Sequence, residues 1–123
     1  MKFVIILAMV AFAAARPDEN FDRYNNFNVQ ELVENLRLLK AYVLCFLDEG
    51  KCTPEGTDFK KWIPDAVQTS CGQCSEQQKS LVAVVIKAIM EKLPEDWKKL
   101  SKQFNEDGRH DAELNEFLGK YAP

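Results

Sequence analysis

Apolar residues in this chain recur at intervals of three and four, in short stretches divided by residues that start or stop helices. Asn28, with Glu31 three positions on, has the form of a capping box, and Leu32, Val33 and Leu36 follow it at helical spacing. A second helix over 37–49 carries Leu38, Leu39, Tyr42, Val43, Phe46 and Leu47, and Gly50 suits a left-handed cap at its end. Thr53-Pro54-Glu55 opens a third, with Phe59, Trp62, Ile63, Ala66 and Val67 on its apolar face. Pro64 lies inside that pattern and predicts a kink or break near Ile63. Ser75, with Gln78 three later, opens a fourth helix. Its run 81–86, continued by Ala88, Ile89 and Met90, also has the composition of a buried strand. The length of the apolar span and its charged flanks favour helix, and a helix apolar nearly all round belongs at the centre of the fold. Pro94-Glu95-Asp96 starts a fifth helix with Trp97, Leu100 and Phe104, closed by Gly108. A weak last helix over 111–118 offers Leu114, Phe117 and Leu118. The expected fold is all-α, with about six short helices in a single domain over 16–123, and there is no internal repeat.

The first fifteen positions read differently. Met1-Lys2 is a short positive start, residues 3–15 are apolar without interruption, and Arg16-Pro17-Asp18-Glu19 turns abruptly polar. The run falls short of the roughly 20 residues that span a bilayer. It ends in Ala13-Ala14-Ala15, small residues that suit a signal peptidase, so residues 1–15 read as a secretory signal peptide. The mature chain is then expected to be secreted and extracellular, without membrane insertion. Residues 18–27 are polar and aromatic without a sustained period, and read as an extended arm.

Cys45, Cys52, Cys71 and Cys74 all lie in the mature part, spaced Cys-x6-Cys-x18-Cys-x2-Cys. An even count in a small secreted domain implies disulfides, and four cysteines allow three pairings. A four-thiolate zinc site is the rival that secretion disfavours. A thioredoxin-like redox motif at Cys71-Gly72-Gln73-Cys74 needs a preceding strand, and none is evident. Pairing neighbours would clamp helix junctions locally, leaving apolar packing to carry the global fold.

Composition narrows the function classes. Residues 1–15 hold one basic residue, so the remainder carries 15 Lys+Arg against 19 Asp+Glu, a net charge of −4. A general nucleic-acid binder should show a basic excess, so no nucleic-acid partner is expected. Five glycines and one histidine make phosphate loops and His-based metal sites poor candidates; no metal and no cofactor are expected. His110 lies in a polar stretch and reads as exposed. No Ser or Cys has a base near it in sequence, so no catalytic residue is assigned and the chain is not expected to be an enzyme. Lys60, Lys61, Lys98 and Lys99 read as solvated, and Asp48-Glu49 beside Lys51 as a surface ion pair.

The cysteine spacing resembles that of the insect chemosensory proteins, the OS-D family, related to the pheromone-binding A10 group. The likeness extends to Tyr24-Asn25-Asn26-Phe27-Asn28-Val29, to Arg37-Leu38-Leu39 with Tyr42, and to the block from Asp48 through Gly56. It continues in Ile63-Pro64-Asp65-Ala66, in Cys71-Gly72-Gln73-Cys74 with Gln77, and in Trp97, covering about residues 24–104. After Phe104 the sequence departs: the family's Tyr-Asp-Pro turn and following aromatic are replaced by Asn105-Glu106-Asp107-Gly108-Arg109-His110. The resemblance implies six helices around an apolar channel, neighbour-paired disulfides, and reversible carriage of long-chain alcohols, aldehydes, fatty acids or pheromone-like semiochemicals. It implies no enzyme activity.

The apolar faces of the second, third and fourth helices would line such a channel. The candidate ligand-binding residues are Leu39, Tyr42, Val43, Phe46, Phe59, Ile63, Val67, Val82, Val85, Ile86, Ile89 and Trp97. Tyr42 shares a face with Leu39, Val43 and Phe46, so its ring is expected inside, with its hydroxyl facing a ligand head group or a backbone carbonyl. Trp62 is expected near the rim. The expected partner is a small hydrophobic ligand bound by a monomer. The competing expectation is a secreted interaction protein in development, regeneration or immunity, whose interior is only a core.

Overall fold

The computed structural model describes Tyr24, residues 27–105 and residues 107–123. The signal-peptide reading of 1–15, and most of the arm over 18–27, lie outside the described residues. Among the described residues there are six helices: α1 Val29–Glu34, α2 Leu36–Phe46, α3 Pro54–Thr69, α4 Glu76–Lys92, α5 Pro94–Ser101 and α6 Asp111–Tyr121.

Local chemistry explains most of the boundaries. Asn28 accepts the Glu31 N–H at 3.1 Å and starts α1. Thr53 accepts from Gly56 N, with Pro54 at the first helical position of α3. Ser75 and Gln78 form a reciprocal capping box at the head of α4. The joint between α1 and α2 is less evident in the sequence. Asn35 closes α1 in extended backbone while its side chain accepts the Leu38 N–H and opens α2. Leu36 therefore begins α2 rather than continuing α1, and at 54% exposure it has left the core.

Three other boundaries differ from expectation. The helix α2 ends at Phe46, and the left-handed residue beyond it is Asp48 (φ 63°), not Gly50. Asp tolerates that conformation, and the Glu49 N–H closes the turn onto the Leu44 carbonyl at 2.8 Å. Gly50 serves a close approach instead: a Cβ there would lie 3.2 Å from Leu44 Cβ. Pro64 does not break α3, which runs through to Thr69. Its ring is half-buried, and Phe59, Ile63, Ala66 and Val67 are buried on both sides of it, so packing holds the helix across the missing hydrogen bond. Finally, α5 ends at Ser101, and Gly108 (φ 70°) instead shapes the turn into α6. There Asn105, nearly buried, donates to Asp111 at 2.7 Å and accepts the His110 N–H at 3.0 Å. This polar knot stands where the sequence departs from the resemblance after Phe104. It also leaves His110 half-buried rather than exposed.

The central element is α4, which packs against α1, α2, α3, α5 and α6. Leu81, Val82, Ala83, Val85, Ile86, Ala88 and Ile89 are all buried along it, as its composition predicted. The disulfides pair neighbours. Cys45–Cys52 joins the end of α2 to the head of α3, with Cα atoms 5.0 Å apart, and Cys71–Cys74 spans the α3–α4 junction at 5.2 Å. No thiol is left free.

Candidate functional site

Eleven of the twelve candidate residues come from α2, α3 and α4, and these helices pack on one another. Leu39 and Val43 of α2, Phe59, Ile63 and Val67 of α3, and Val82, Val85, Ile86 and Ile89 of α4 are each at most 1% exposed, and Phe46 is 2% exposed. They form a continuous, closely packed apolar interior. Four clefts among the described residues are lined by other residues. Tyr42 is half-buried at the edge of this interior, its ring 6.3 Å from Phe46 and 6.5 Å from Phe59. Its hydroxyl has no hydrogen-bond partner among the described residues, nor is it a buried orphan, so it is open to solvent or to an incoming polar group.

Trp97 comes from a fourth helix and packs against the edge of the same core. It sits on α5, half-buried, with Phe104 as its ring neighbour at 6.3 Å. Salt bridges tie α5 to the α2 side of the fold: Lys40 to Asp96 at 2.6 Å and Lys99 to Glu49 at 3.2 Å. Asp48 pairs with Lys60 of α3, so the acidic pair after α2 meets two lysines from other helices rather than Lys51.

An aromatic cluster closes the α3 side of the interior. Phe59 lies at its centre, with Trp62 at 5.3 Å, Phe27 at 5.8 Å and Tyr24 at 5.9 Å between ring centroids. Tyr24 is 3% exposed and donates its hydroxyl to Asp58 Oδ2 at 3.0 Å. Tyr24 and Phe27 were not among the candidates, because the arm that carries them shows no periodicity. The available signal was a pair of aromatics three apart immediately before a helix cap. Trp62 is half-buried against this cluster.

At the other end of α4, Glu76 is held below the usual carboxylate range, first by its hydrogen bond to Lys79 and then by the Tyr121 hydroxyl of α6. The same contact raises the Lys79 ammonium. Asp65 braces the Cys71–Cys74 loop: its carboxylate accepts from Thr69 Oγ1 at 2.8 Å and from Gln73 N at 3.3 Å.

The sequence pattern of the insect pheromone-binding family, A10/OS-D, matches residues 21–112. The chain belongs to this family. As an A10/OS-D protein it is 43% identical over 105 residues to Allergen Tha p 1 of Thaumetopoea pityocampa, covering 83% of each chain. Its fold is similar to that of the antennal chemosensory protein A6 from the moth Mamestra brassicae, with a TM-score of 0.68 and 32% identity over 81% of this chain and 93% of that one. It is similar also to a chemosensory protein solved in complex with bromo-dodecanol, with a TM-score of 0.65 and 32% identity over 80% and 96%. Membership accounts for the six helices and the two neighbour-paired bridges. No helix among the described residues is long and apolar enough to cross a membrane.

Proposed function

We propose that this A10/OS-D chain is a secreted, monomeric carrier that reversibly binds small hydrophobic molecules between α2, α3 and α4. The ligand class is long-chain alcohols, aldehydes, fatty acids and similar semiochemicals. The observation that carries the reading is the similar fold of a family member solved with bromo-dodecanol, joined to an interior built here from apolar side chains of three helices. Residues 1–15 serve as the secretion signal in this reading.

The packed interior sets the energetics. Each methylene taken from water contributes about 0.8 kcal/mol, so a twelve-carbon chain gains on the order of 10 kcal/mol gross. Ordering the chain and opening the interior offset several kcal/mol of that, leaving roughly −8 kcal/mol, near micromolar. Such a site discriminates by length and shape more than by head group, and it releases what it binds. Tyr42, at the edge with an unpartnered hydroxyl, is the proposed contact for an alcohol or carboxyl head.

The test is a series of linear alcohols displacing a fluorescent apolar probe. Affinity is expected to climb with chain length and then level off when the interior is full. The close packing of the candidate residues also favours a second reading, an interaction protein with a dry core and no obligatory ligand. That reading predicts no probe binding and no length dependence.

A further inference from the structure

We infer that the α3–α4 junction becomes a zinc-type metal site when the Cys71–Cys74 bridge is reduced, with Asp65 as the third ligand. The ligand atoms of Asp65, Cys71 and Cys74 all lie within 4.8 Å of one another, and Cys74 Sγ is 3.9 Å from Asp65 Oδ2. Ser70 (φ 56°) and Cys71 (φ 62°) turn the chain back onto α3, where the Cys71 N–H donates to the Asp65 carbonyl at 3.1 Å. The carboxylate is held in place: Thr69 Oγ1 donates to its Oδ1, and Gln73 N donates to its Oδ2. Such outer contacts orient a ligating carboxylate, and its remaining lone pairs stay available to a cation.

The donor set decides the ligand. Two thiolates and one carboxylate suit zinc and similar thiophilic dications, whereas magnesium and calcium ask for six or more oxygens. A tetrahedral zinc keeps such donors about 3.5–3.8 Å apart. The cysteine Cα atoms are 5.2 Å apart, so rotation of the two side chains opens the sulfurs to that spacing. The site lies where α3 ends, which favours a cation, and just before α4 begins, which favours thiolates. Cys71 is buried while Asp65 and Cys74 are half-buried, so the fourth position faces water. This differs from the four-thiolate site that the cysteine count allows. Cys45–Cys52 stands at the head of α3, whose 16 residues put it about 24 Å from the other pair.

Reduction and binding balance simply. A dithiol gives two electrons to the Sγ–Sγ bond and closes to its own disulfide, leaving two thiols on the chain. The cation then displaces both thiol protons to solvent and replaces the covalent clamp between α3 and α4. Neither step depends on the carrier reading.

The test is a Co²⁺ titration of the mature chain, oxidised and then reduced with a phosphine, which adds no competing thiol. The oxidised chain is expected to bind nothing. The reduced chain should give the visible bands of tetrahedral Co²⁺ with a thiolate charge-transfer band, displaced by Zn²⁺ and unaffected by Mg²⁺. Asp65→Asn keeps an acceptor for Thr69 and removes the charge, and it should weaken Co²⁺ binding about tenfold or more. Cys71→Ser with Cys74→Ser should abolish the bands. Absent tetrahedral bands, bands that survive the double serine variant, or unchanged affinity in Asp65→Asn would each overturn the inference. A reduced chain that unfolds would lose the contrast with Asp65→Asn and overturn it as well.

Discussion

Phe59→Leu separates what the interior contributes to stability from what it withholds from a ligand. Phe59 is fully buried, and its ring meets those of Trp62, Phe27, Tyr24 and Tyr42 at 5.3, 5.8, 5.9 and 6.5 Å. Each such aromatic pair is worth about 0.5–1.5 kcal/mol beyond the area it buries. The four share one ring and are coupled, so their sum is an upper bound. Leucine keeps most of the apolar burial, and the expected loss is about 2–3 kcal/mol. Against a typical domain stability of about 5–15 kcal/mol the variant still folds. In the carrier reading a ligand must open this packed region itself, and the shorter side chain does part of that work. Dodecanol affinity should therefore rise, by about 0.8 kcal/mol or roughly fourfold if one methylene's worth of space is freed. Urea unfolding followed by circular dichroism measures the first quantity, and probe displacement by dodecanol the second. A stability loss under about 0.5 kcal/mol would show that the aromatic cluster is not part of the core. An affinity that falls along with stability would show that ligand does not enter beside Phe59.

Tyr42→Phe removes only the hydroxyl: alcohols and acids are expected to lose about 0.5–1.5 kcal/mol of binding while a plain hydrocarbon loses none, and equal loss for both would remove Tyr42 from the polar end of the site. The bridges have sequence separations of only 7 and 3, so reducing them should cost about 2.5 and 2 kcal/mol in chain entropy, lowering the melting temperature while most helical ellipticity remains. Glu76 has a folded-state pKa below its ordinary 4.5, so its link to Lys79 and Tyr121 adds stability that is present above that value and lost as pH falls through the folded one. Wild type should thus melt above Glu76→Gln at pH 7 and match it in strong acid; a gap that persists at low pH would contradict the assignment.

The parts of this fold that were legible in the sequence are those set by local chemistry. Thr53-Pro54, Ser75 with Gln78, and Pro94 mark helix starts through caps and fixed backbone angles, and these act whatever surrounds them. The centrality of α4 was readable because a helix apolar on nearly every side has no face for water. The misreadings occur where tertiary packing outweighs local preference. Pro64 should interrupt a helix, yet the buried residues around it keep α3 continuous. Asp48, not Gly50, takes the left-handed turn, because Gly50 is needed where Leu44 comes close. Of the candidate site, the residues at helical spacing on α2, α3 and α4 do meet. Trp97, included for its match to the family, comes from α5, packs against the edge of the core and meets the Phe104 ring. Tyr24 and Phe27 were left out because an arm without periodicity gives no sign of which face it covers. Pairings such as Glu49 with Lys99 join positions far apart in the chain, and no local pattern encodes them.

The most direct measurement is the location of a bound chain. Dodecanol brominated at its tail, crystallised with the mature protein, marks the end of the alkyl chain through the anomalous scattering of bromine. The account predicts a bromine peak between α2, α3 and α4, within about 4 Å of the side chains of Val43, Ile63 or Ile86, the distance of ordinary apolar contact. Bromine found only on the outer surface of the helices, or no bound chain at saturating alcohol, would contradict it.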